Sequence, residues 1–584
     1  MLYFEIFATL RTGVPSRMST AIVLVRPIIG LEVHVQLATR RKMFAAAPSG
    51  AHAHAYTQTN GSVNQTVDGS SNTSPTFPPN TLLNTLPNTL IDETVLALPG
   101  SLPVMNRQAV ELSIIVGLLL RCQIAKLSKW DRKAYFYPDL PKAYQISQYD
   151  MPLCFDGAFD IPGLDASGNP DAKLATTRIG IIRAHLEEDA GKLLHEAPGG
   201  HPIDHSIVDY NRAGTPLLEI VTQPDFTNAN DVVIFCRLLR AACRDAGATQ
   251  GVLERGHIRF EPNINCELTF ADASTIRTPI VEVKNLNSFR SLKGAIEFEI
   301  AEQPRRYLAD RRVMGKGAKT TRGFDDAKGV TVVQRSKEDA NDYRYFPDPD
   351  LPAVVVDADW LAQLTSRVPE SPTSRFARLV NDFDLDPKEA IALIEDPATA
   401  RLLDCATDAA VELGQDRAHA GRTCANLILQ TLQKCANERG ITSSELSVSA
   451  EAIAAVAHLR HTGAIGNQAV EPLLVPSAEI AAMLTNTGDS PTNALEVTSR
   501  VSPVVMLERM TAVAKAKGLL IVRDEGAITR WIEEAIAAQP EAAAHVRAGK
   551  QQAIGRLVGE VMKRSQGQAD AATARERLLK ALRV

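Results

Sequence analysis

Two side chains near the start of the chain could do chemistry together. In Ile28-Ile-Gly-Leu-Glu-Val-His-Val-Gln-Leu37 the apolar positions Leu31, Val33, Val35 and Leu37 alternate with Glu32, His34 and Gln36. A strand here places the carboxylate of Glu32 and the imidazole of His34 on one face, about 7 Å apart. Such a pair can hold a cation or move a proton, and it can equally be the polar outer face of an edge strand. Glu219 is a second candidate, because it interrupts the apolar run Leu217–Val221. An ionised carboxylate inside a buried strand is costly unless it is paired or bound to metal. A third is the end of Arg178–Lys192, where an alternating strand runs into Glu187, Glu188 and Asp189. Three adjoining acids repel one another unless a divalent cation or a basic partner neutralises them; the plain alternative is a solvated loop.

Cations and rings occur together further along. Asp131–Gln148 interleaves Arg132, Lys133 and Lys142 with Tyr135, Tyr137 and Tyr144. That mixture suits phosphates, ribose and stacked bases, or a proline-bent loop with partly buried tyrosines. Arg212-Ala-Gly-Thr offers a cationic side chain and a tight turn to a phosphate. Glu282–Arg290, with Lys284, Asn285 and Arg290, and Arg335–Asp350 are crowded with hydrogen-bonding groups. Gly315-Lys-Gly-Ala-Lys-Thr fails the phosphate-loop spacing, so any ATP use needs a different cradle. No dinucleotide fingerprint, G-x-S-x-G elbow or H-E-x-x-H pair is found.

The elements that must position these groups are legible in outline. A chain of 584 residues is too long for one core and implies a soluble protein of about three or four domains. A net charge of −5 gives no general attraction to nucleic acid or anionic membrane. The eight cysteines contain no C-x-x-C, which argues against a disulfide framework or thiolate zinc and fits small core residues in a reducing compartment. No apolar run approaches the roughly 18 residues of a membrane span. Arg11, Arg17 and Arg26 with a single acid, Glu5, resemble a transit peptide; the alternative is a translation start at Met18. The expectation is a bacterial cytoplasmic protein, the alternative a mitochondrial matrix protein. Ala45 to Asn106 lacks Lys and Arg, and Tyr56–Pro87 is rich in Asn, Thr, Ser and Pro, which predicts a mobile surface insertion. From Ile28 to about Pro352 the text is strand-like. From about Ser366 it is Ala/Leu-rich and helical, as in Pro387–Glu395 and Asn426–Cys435. From Glu541 onward nine Lys/Arg stand against four Asp/Glu.

In order, the segments IGLEVHVQL, DRKAYFYPDLPKAYQISQ, RAHLEEDAGK, DYNRAGTPLLEIV, RFEPNIN, VEVKNLNSFR and EDANDYRYFPDPDL closely resemble the B-subunit (GatB) family of aspartyl/glutamyl-tRNA amidotransferases. The likeness runs from Ile28 to Leu351 and continues more loosely to the C-terminus. It implies an α+β protein with an N-terminal extension over 1–26 and a sheet-based catalytic cradle domain over 27–365, carrying the mobile insertion at 51–92. A helical domain over 366–445 and a YqeY-like, tRNA-binding helical tail over 446–584 follow. The implied reaction phosphorylates the side-chain carboxylate of Glu-tRNA(Gln) and/or Asp-tRNA(Asn) with ATP and Mg²⁺. Ammonia channelled from a glutaminase A subunit then forms the amide, and a small C subunit tethers the complex. An acyl phosphate has the leaving group that a carboxylate lacks, and Mg²⁺ neutralises charge during phosphoryl transfer.

The resemblance assigns Glu32, His34, Glu188 and Glu219 to the metal, and Lys133 and Lys142 to the polar channel and catalytic surroundings with Glu188 and Glu219. Arg132, Lys284, Asn285 and Arg290, with Arg212 from its own loop, are candidates for ATP or the tRNA end. Strict alternation puts Glu188 on the more apolar face, so a bulge or the strand's end must reorient it, or Glu187 takes its place. The family's cysteine pairs are missing, Phe44-Ala-Ala-Ala-Pro and Thr94–Gly100 standing in their places, so no structural zinc is expected. The rival readings are a non-catalytic tRNA-binding scaffold in the same complex, the archaeal-type subunit with an inserted domain, and a stand-alone amide ligase.

Overall fold

The computed structural model describes residues 21–50, 86–197, 201–336, 343–477, 484, 501–522, 524–565 and 567–582. The residues read as a transit peptide or upstream start, most of the Asn/Thr/Ser/Pro insertion, and part of Arg335–Asp350 lie outside that set. The chain divides into two compact units between Thr373 and Ser374.

The first unit is built on a ten-stranded sheet. In chain order its strands are β1 (Ile22–Gln36), β2 (Gln123–Ile124), β5 (Cys154–Ile161), β6 (Thr177–Glu188), β7 (Pro216–Thr222), β8 (Ile258–Phe270), β9 (Thr275–Arg277), β10 (Val281–Lys284), β11 (Thr320–Asp325) and β12 (Val330–Ser336). A three-stranded sheet holds β3 (Asp131–Ala134), β4 (Tyr144–Ser147) and β13 (Phe346–Pro347), with β3 in the middle. The large sheet runs β12-β11-β10-β8-β1-β7-β6-β5-β2, and β9 adds to β8. Neighbours are antiparallel except β10 and β11.

The alternation in β1 decides which face is core. Leu31, Val33 and Val35 are buried, and across the register Val33 meets Ile220 and Phe260 while Val35 meets Leu218 and Ile258. Each such side chain contributes about 1.5–3 kcal/mol by leaving water. Three helices cover the sheet: α1 (Arg107–Leu119), α2 (Ala229–Asp245) and α3 (Phe289–Asp310). Their starts are capped by the side chains of Asn106, Asn228 and Ser288, which accept from backbone N–H groups of the first turn.

Two boundaries differ from the sequence reading. Strand β1 begins at Ile22, not after residue 26, because Ile22–Arg26 pairs along β8. Residues 86–92, assigned to the insertion, are tied down: Asn211 Oδ1 accepts from Thr89 N and Leu90 N, and Asp92 accepts from Ala47 N and Val95 N. A polar composition predicted freedom, but these carboxylate and amide groups supply local partners.

The second unit is helical throughout its described residues. The Pro387–Glu395 helix is closed by a capping box between Asp386 and Glu389. The stretch expected as helix over Asn426–Cys435 widens into a π-turn at Leu427–Leu432 before resuming. Further on, Ile528, Ile532, Leu557, Val561 and Leu578 form a separate apolar core. Seven of the eight cysteines are buried, Cys405 being the exposed one, and none is disulfide-bonded. No described helix is long and apolar enough to cross a membrane.

One buried ion pair fixes α3 to the sheet edge. Glu299 is fully buried and accepts from Arg306 Nη1 and Nη2 at 2.8 and 2.9 Å. Arg322 of β11 lies 3.5 Å away, and Thr331 of β12 donates its hydroxyl to the same carboxylate. Glu299→Ala removes the buried carboxylate that balances Arg306 and Arg322 and is expected to destabilise the first unit by about 3–5 kcal/mol. Urea unfolding of the full chain checks this, and an unchanged midpoint would refute it.

Candidate active site

Strands β6, β7, β1 and β8 lie side by side, with His185 opposite Glu219, Glu219 opposite His34, and His34 opposite Arg259. Cross-strand partners project from the same face, so these four side chains form one row. Glu187 and Gln36, both opposite Leu217, continue that face two residues along β6 and β1. In the other direction Glu32 stands opposite Glu261. The helix-covered face carries the apolar partners, so the sheet is divided into a packing side and a chemical side.

The row is tightly spaced. His34 Nε2 is 3.5 Å and His185 Nε2 3.7 Å from Glu219 Oε2. Ligand atoms of His34, Glu187 and Glu219 all lie within 4.8 Å of one another. Behind them Asp189 accepts from Gln36 Nε2 at 2.8 Å and from Arg259 Nη2 at 3.0 Å. A second group joins Glu32, Glu261 and Glu282. Here Lys284 Nζ is 2.7 Å from Glu261 and 2.9 Å from Glu282, and Lys319 Nζ is 3.2 Å from Glu282.

The charges respond to this crowding. Burial opposes a proton on His34, but the adjacent Glu219 carboxylate outweighs it and raises the imidazole to about 9. Burial lowers His185 to about 4, leaving it neutral. Burial, followed by the charge of Glu219, pushes Glu187 up to about 7. Glu219 is buried as well, yet the protonated His34 and Lys133 hold it below the usual carboxylate range. Neither His34 Nδ1 nor His185 Nδ1 makes a hydrogen bond among the described residues. Two carboxylates and one imidazole converging on one point fit a single divalent cation that keeps some of its water.

The four residues expected to share a metal therefore do not form one cluster. Glu188 ends β6 on the opposite face from Glu187, where Lys142 Nζ donates to it and Ile146 N donates at 3.1 Å. No bulge turns it round, because β6 pairs regularly with β7 from Arg183 to Glu188. Glu187 takes the place beside His34 and Glu219. Glu32 belongs to the second group.

The cationic candidates separate similarly. Lys133 Nζ sits 5.0 Å from the Tyr343 ring, with Glu187 and Glu219 among its charged neighbours. Arg132 is engaged by Asp348 and Asp350 at 2.7 and 2.9 Å, beneath the Tyr144 ring. Arg212 donates to the carbonyls of Ala190 and Gly191, tying its turn to the segment that follows β6. Lys284 is held by Glu261 and Glu282. Asn285 is exposed with φ 61°, and Arg290 is exposed in the first turn of α3. The sequence reading had not singled out His185, Arg259, Glu261, Glu282 or Lys319. Alternation along Arg178–Asp189 and Ile258–Pro262 is the signal that could have found the first three.

The family model of the GatB/GatE catalytic domain matches residues 27–362, and that of the GatB domain matches 408–582. The B subunit of the aspartyl/glutamyl-tRNA(Asn/Gln) amidotransferase of Thermomicrobium roseum is 36% identical over 555 residues, covering 95% of this chain and 98% of that protein. The corresponding protein of Thermobifida fusca is 36% identical over 566 residues, covering 96% and 94%. That of Rhodopirellula baltica is 33% identical over 542 residues, covering 93% and 94%.

The raised imidazole makes a pH-dependent contribution to stability. Below pH 6.5, the ordinary histidine value, His34 is protonated whether folded or unfolded, and the ion pair with Glu219 contributes fully; the contribution fades as pH rises towards 9. The expected loss across that window is about 3 kcal/mol in the presence of a chelator. Comparing unfolding free energies of the chain and of His34→Gln between pH 6 and 9.5 isolates it. Parallel curves would refute it.

Proposed function

The chain belongs to the GatB family of amidotransferase B subunits, and from that premise we propose that it activates the side-chain carboxylate of tRNA-borne glutamate or aspartate at the expense of ATP and presents it to ammonia. The observation that carries this reading is the convergence of His34, Glu187 and Glu219 on the open face of the sheet, beside Lys133.

Transferring a phosphoryl group to a carboxylate brings anions together, so the site must supply positive charge. His34, Glu187 and Glu219 would hold Mg²⁺, which supplies neutralisation of the phosphate oxygens when bound. Burial opposes the charge on Lys133, but Glu187 and other acidic neighbours keep it firmly protonated, so it can orient an incoming carboxylate or phosphate. Arg259 and Asp189 brace the row from behind and fix the side-chain positions. Lys284, with Asn285 and Arg290 close by in sequence, stands where a polyphosphate could meet cations. Arg132 anchors strand β3, which carries Lys133, to Asp348 and Asp350, and Arg212 holds the turn that carries Gly214.

Glu188 and Lys142 have a different role in this reading. Their pair lies across the sheet from the cation group, beside Phe44, Leu140 and Gly214 around a small cavity. There Glu188 can accept a hydrogen bond from ammonia on its way to the activated carboxylate. Ammonia comes from a glutaminase A subunit, a small C subunit completes the assembly, and the helical unit with its basic end grips the tRNA. The substrates are Glu-tRNA(Gln), Asp-tRNA(Asn) or both.

The test is amide formation by the chain assembled with its A and C partners, given ATP, Mg²⁺ and glutamine. Glu187→Gln and Glu219→Gln are expected to lower the rate about a hundredfold or more. Glu188→Gln should reduce synthesis from glutamine more than synthesis from ammonium salt. Full activity in both Glu187→Gln and Glu219→Gln would sink the cation assignment, and no product from the intact complex with either tRNA would favour the scaffold reading.

A further inference from the structure

A group of tyrosines lies beside the carboxylate row and no step above uses it. Tyr149 and Tyr345 stack face to face, with centroids 4.2 Å apart and planes 11° from parallel. Tyr343 meets Tyr345 edge-on at 6.2 Å, and Tyr135 meets Tyr343 at 6.0 Å. Lys133 Nζ lies 5.0 Å from the Tyr343 centroid and 6.0 Å from that of Tyr135. The charged groups around the Tyr345 hydroxyl are Lys133, Glu187, Glu219 and Arg183. The tyrosines therefore border the same space that the cation group faces.

Backbone contacts make this a fixed feature. Strand β13 pairs with β3, and Ala134 N donates to Tyr343 O at 2.9 Å. Tyr149 follows β4; its N–H donates to Asp131 at 3.1 Å and its carbonyl accepts from Arg183 Nη1 at 2.9 Å. The three-stranded sheet thus delivers rings from both of its edges to one place. One face of Tyr149 is covered by Tyr345, yet the residue remains 52% exposed, so its outer face is open to solvent. An aromatic face held rigid and uncovered next to a lysine is how proteins receive a nucleobase: stacking supplies affinity and the cation meets the phosphate.

We propose that the Tyr149–Tyr345 stack, with Lys133 beneath Tyr343, is a subsite for an adenine ring. It rests on the functional reading above, which supplies two sources of adenosine, ATP itself and the 3′-terminal nucleotide of the tRNA. The aromatic platform holds the base, while Lys133 and the carboxylate row meet the charged end of the same ligand. The competing role is purely structural, with the stack pinning the Tyr343–Pro347 segment against β3.

The assembled complex with A and C partners decides between them. Tyr149→Ala and Tyr345→Ala are expected to raise one KM about tenfold with kcat nearly unchanged, while Tyr149→Phe and Tyr345→Phe, which keep the ring, behave as the parent. A rise in the KM for ATP alone assigns the adenine to ATP; a rise in the KM for aminoacyl-tRNA alone assigns it to the tRNA end. Unchanged KM values in active alanine variants would overturn the proposal. Should the alanine variants fail to assemble, photolabelling of the unsubstituted complex replaces them. The probes are 8-azido-ATP and tRNA ending in 8-azidoadenosine. Label on Tyr149 or Tyr345 supports the subsite, and label confined to other residues overturns it. Because photolabelling needs no turnover, a complex that binds 8-azido-ATP at these tyrosines but makes no amide would overturn the functional reading and leave the subsite standing.

Discussion

Much of the first unit follows from one unfavourable placement, the carboxylate of Glu219 inside a buried strand. Its chain neighbours Leu218 and Ile220 are both fully buried, so the backbone that carries it cannot leave the sheet. An ionised group in that position must find its positive charge sideways, in the register of adjoining strands. His34, protonated, provides it from one flank at 3.5 Å, and the neutral His185 stands on the other at 3.7 Å. A slip of one residue in either pairing would turn the histidines to the apolar side and strand the carboxylate. The register that completes the core is thus the same register that assembles the chemistry.

The two-residue period of a strand also explains how adjacent acids acquire separate roles. Glu187 and Glu188 are neighbours in sequence, but their side chains leave opposite faces of β6. One meets Glu219 and His34, the other meets Lys142. Asp189 returns to the first face, where Arg259 balances its charge and Gln36 donates a hydrogen bond to it. The mutual repulsion that makes an acid triplet look unstable in the sequence is therefore relieved by dividing the three charges among three sets of partners.

What could be read from the sequence follows the range of the interactions involved. The core face of β1 was legible because Leu31, Val33 and Val35 repeat with period two, and the Pro387–Glu395 helix because Asp386 and Glu389 cap it locally. The α+β arrangement followed from the change from strand-like to helical text. Glu219 was legible as a misfit within an apolar run. Arg259 and Glu261 were legible only as polar positions of an alternating strand, since their place in the site depends on β8 lying beside β1, a pairing between residues more than two hundred positions apart. Arg132 looked free to bind phosphate because nothing near it in sequence reveals Asp348 and Asp350. Residues 86–92 looked mobile for a related reason: composition reports how little apolar surface they bury, not that Asn211 and Asp209 await their amides.

Two groups of three carboxylate- or imidazole-bearing residues lie on the same face, and the balance of charge distinguishes them. Glu32, Glu261 and Glu282 are met directly by two ammonium groups, Lys284 and Lys319, at ion-pair distance. A cation entering there would have to displace partners already in place. Around Glu187 and Glu219 the compensation is incomplete. His34 contributes one positive charge that depends on a proton, His185 is neutral, and Lys133 makes its close contacts with tyrosine rings. The upward shift of Glu187 to about 7 has the same cause, since burial and Glu219 together leave it short of positive charge. A divalent ion would release the proton from His34, ionise Glu187 fully and satisfy both carboxylates at once. Around Glu282 the lysines already stand at ion-pair distance, whereas around Glu219 a cation would displace only a proton from His34 and one from Glu187, which favours placing it at His34, Glu187 and Glu219.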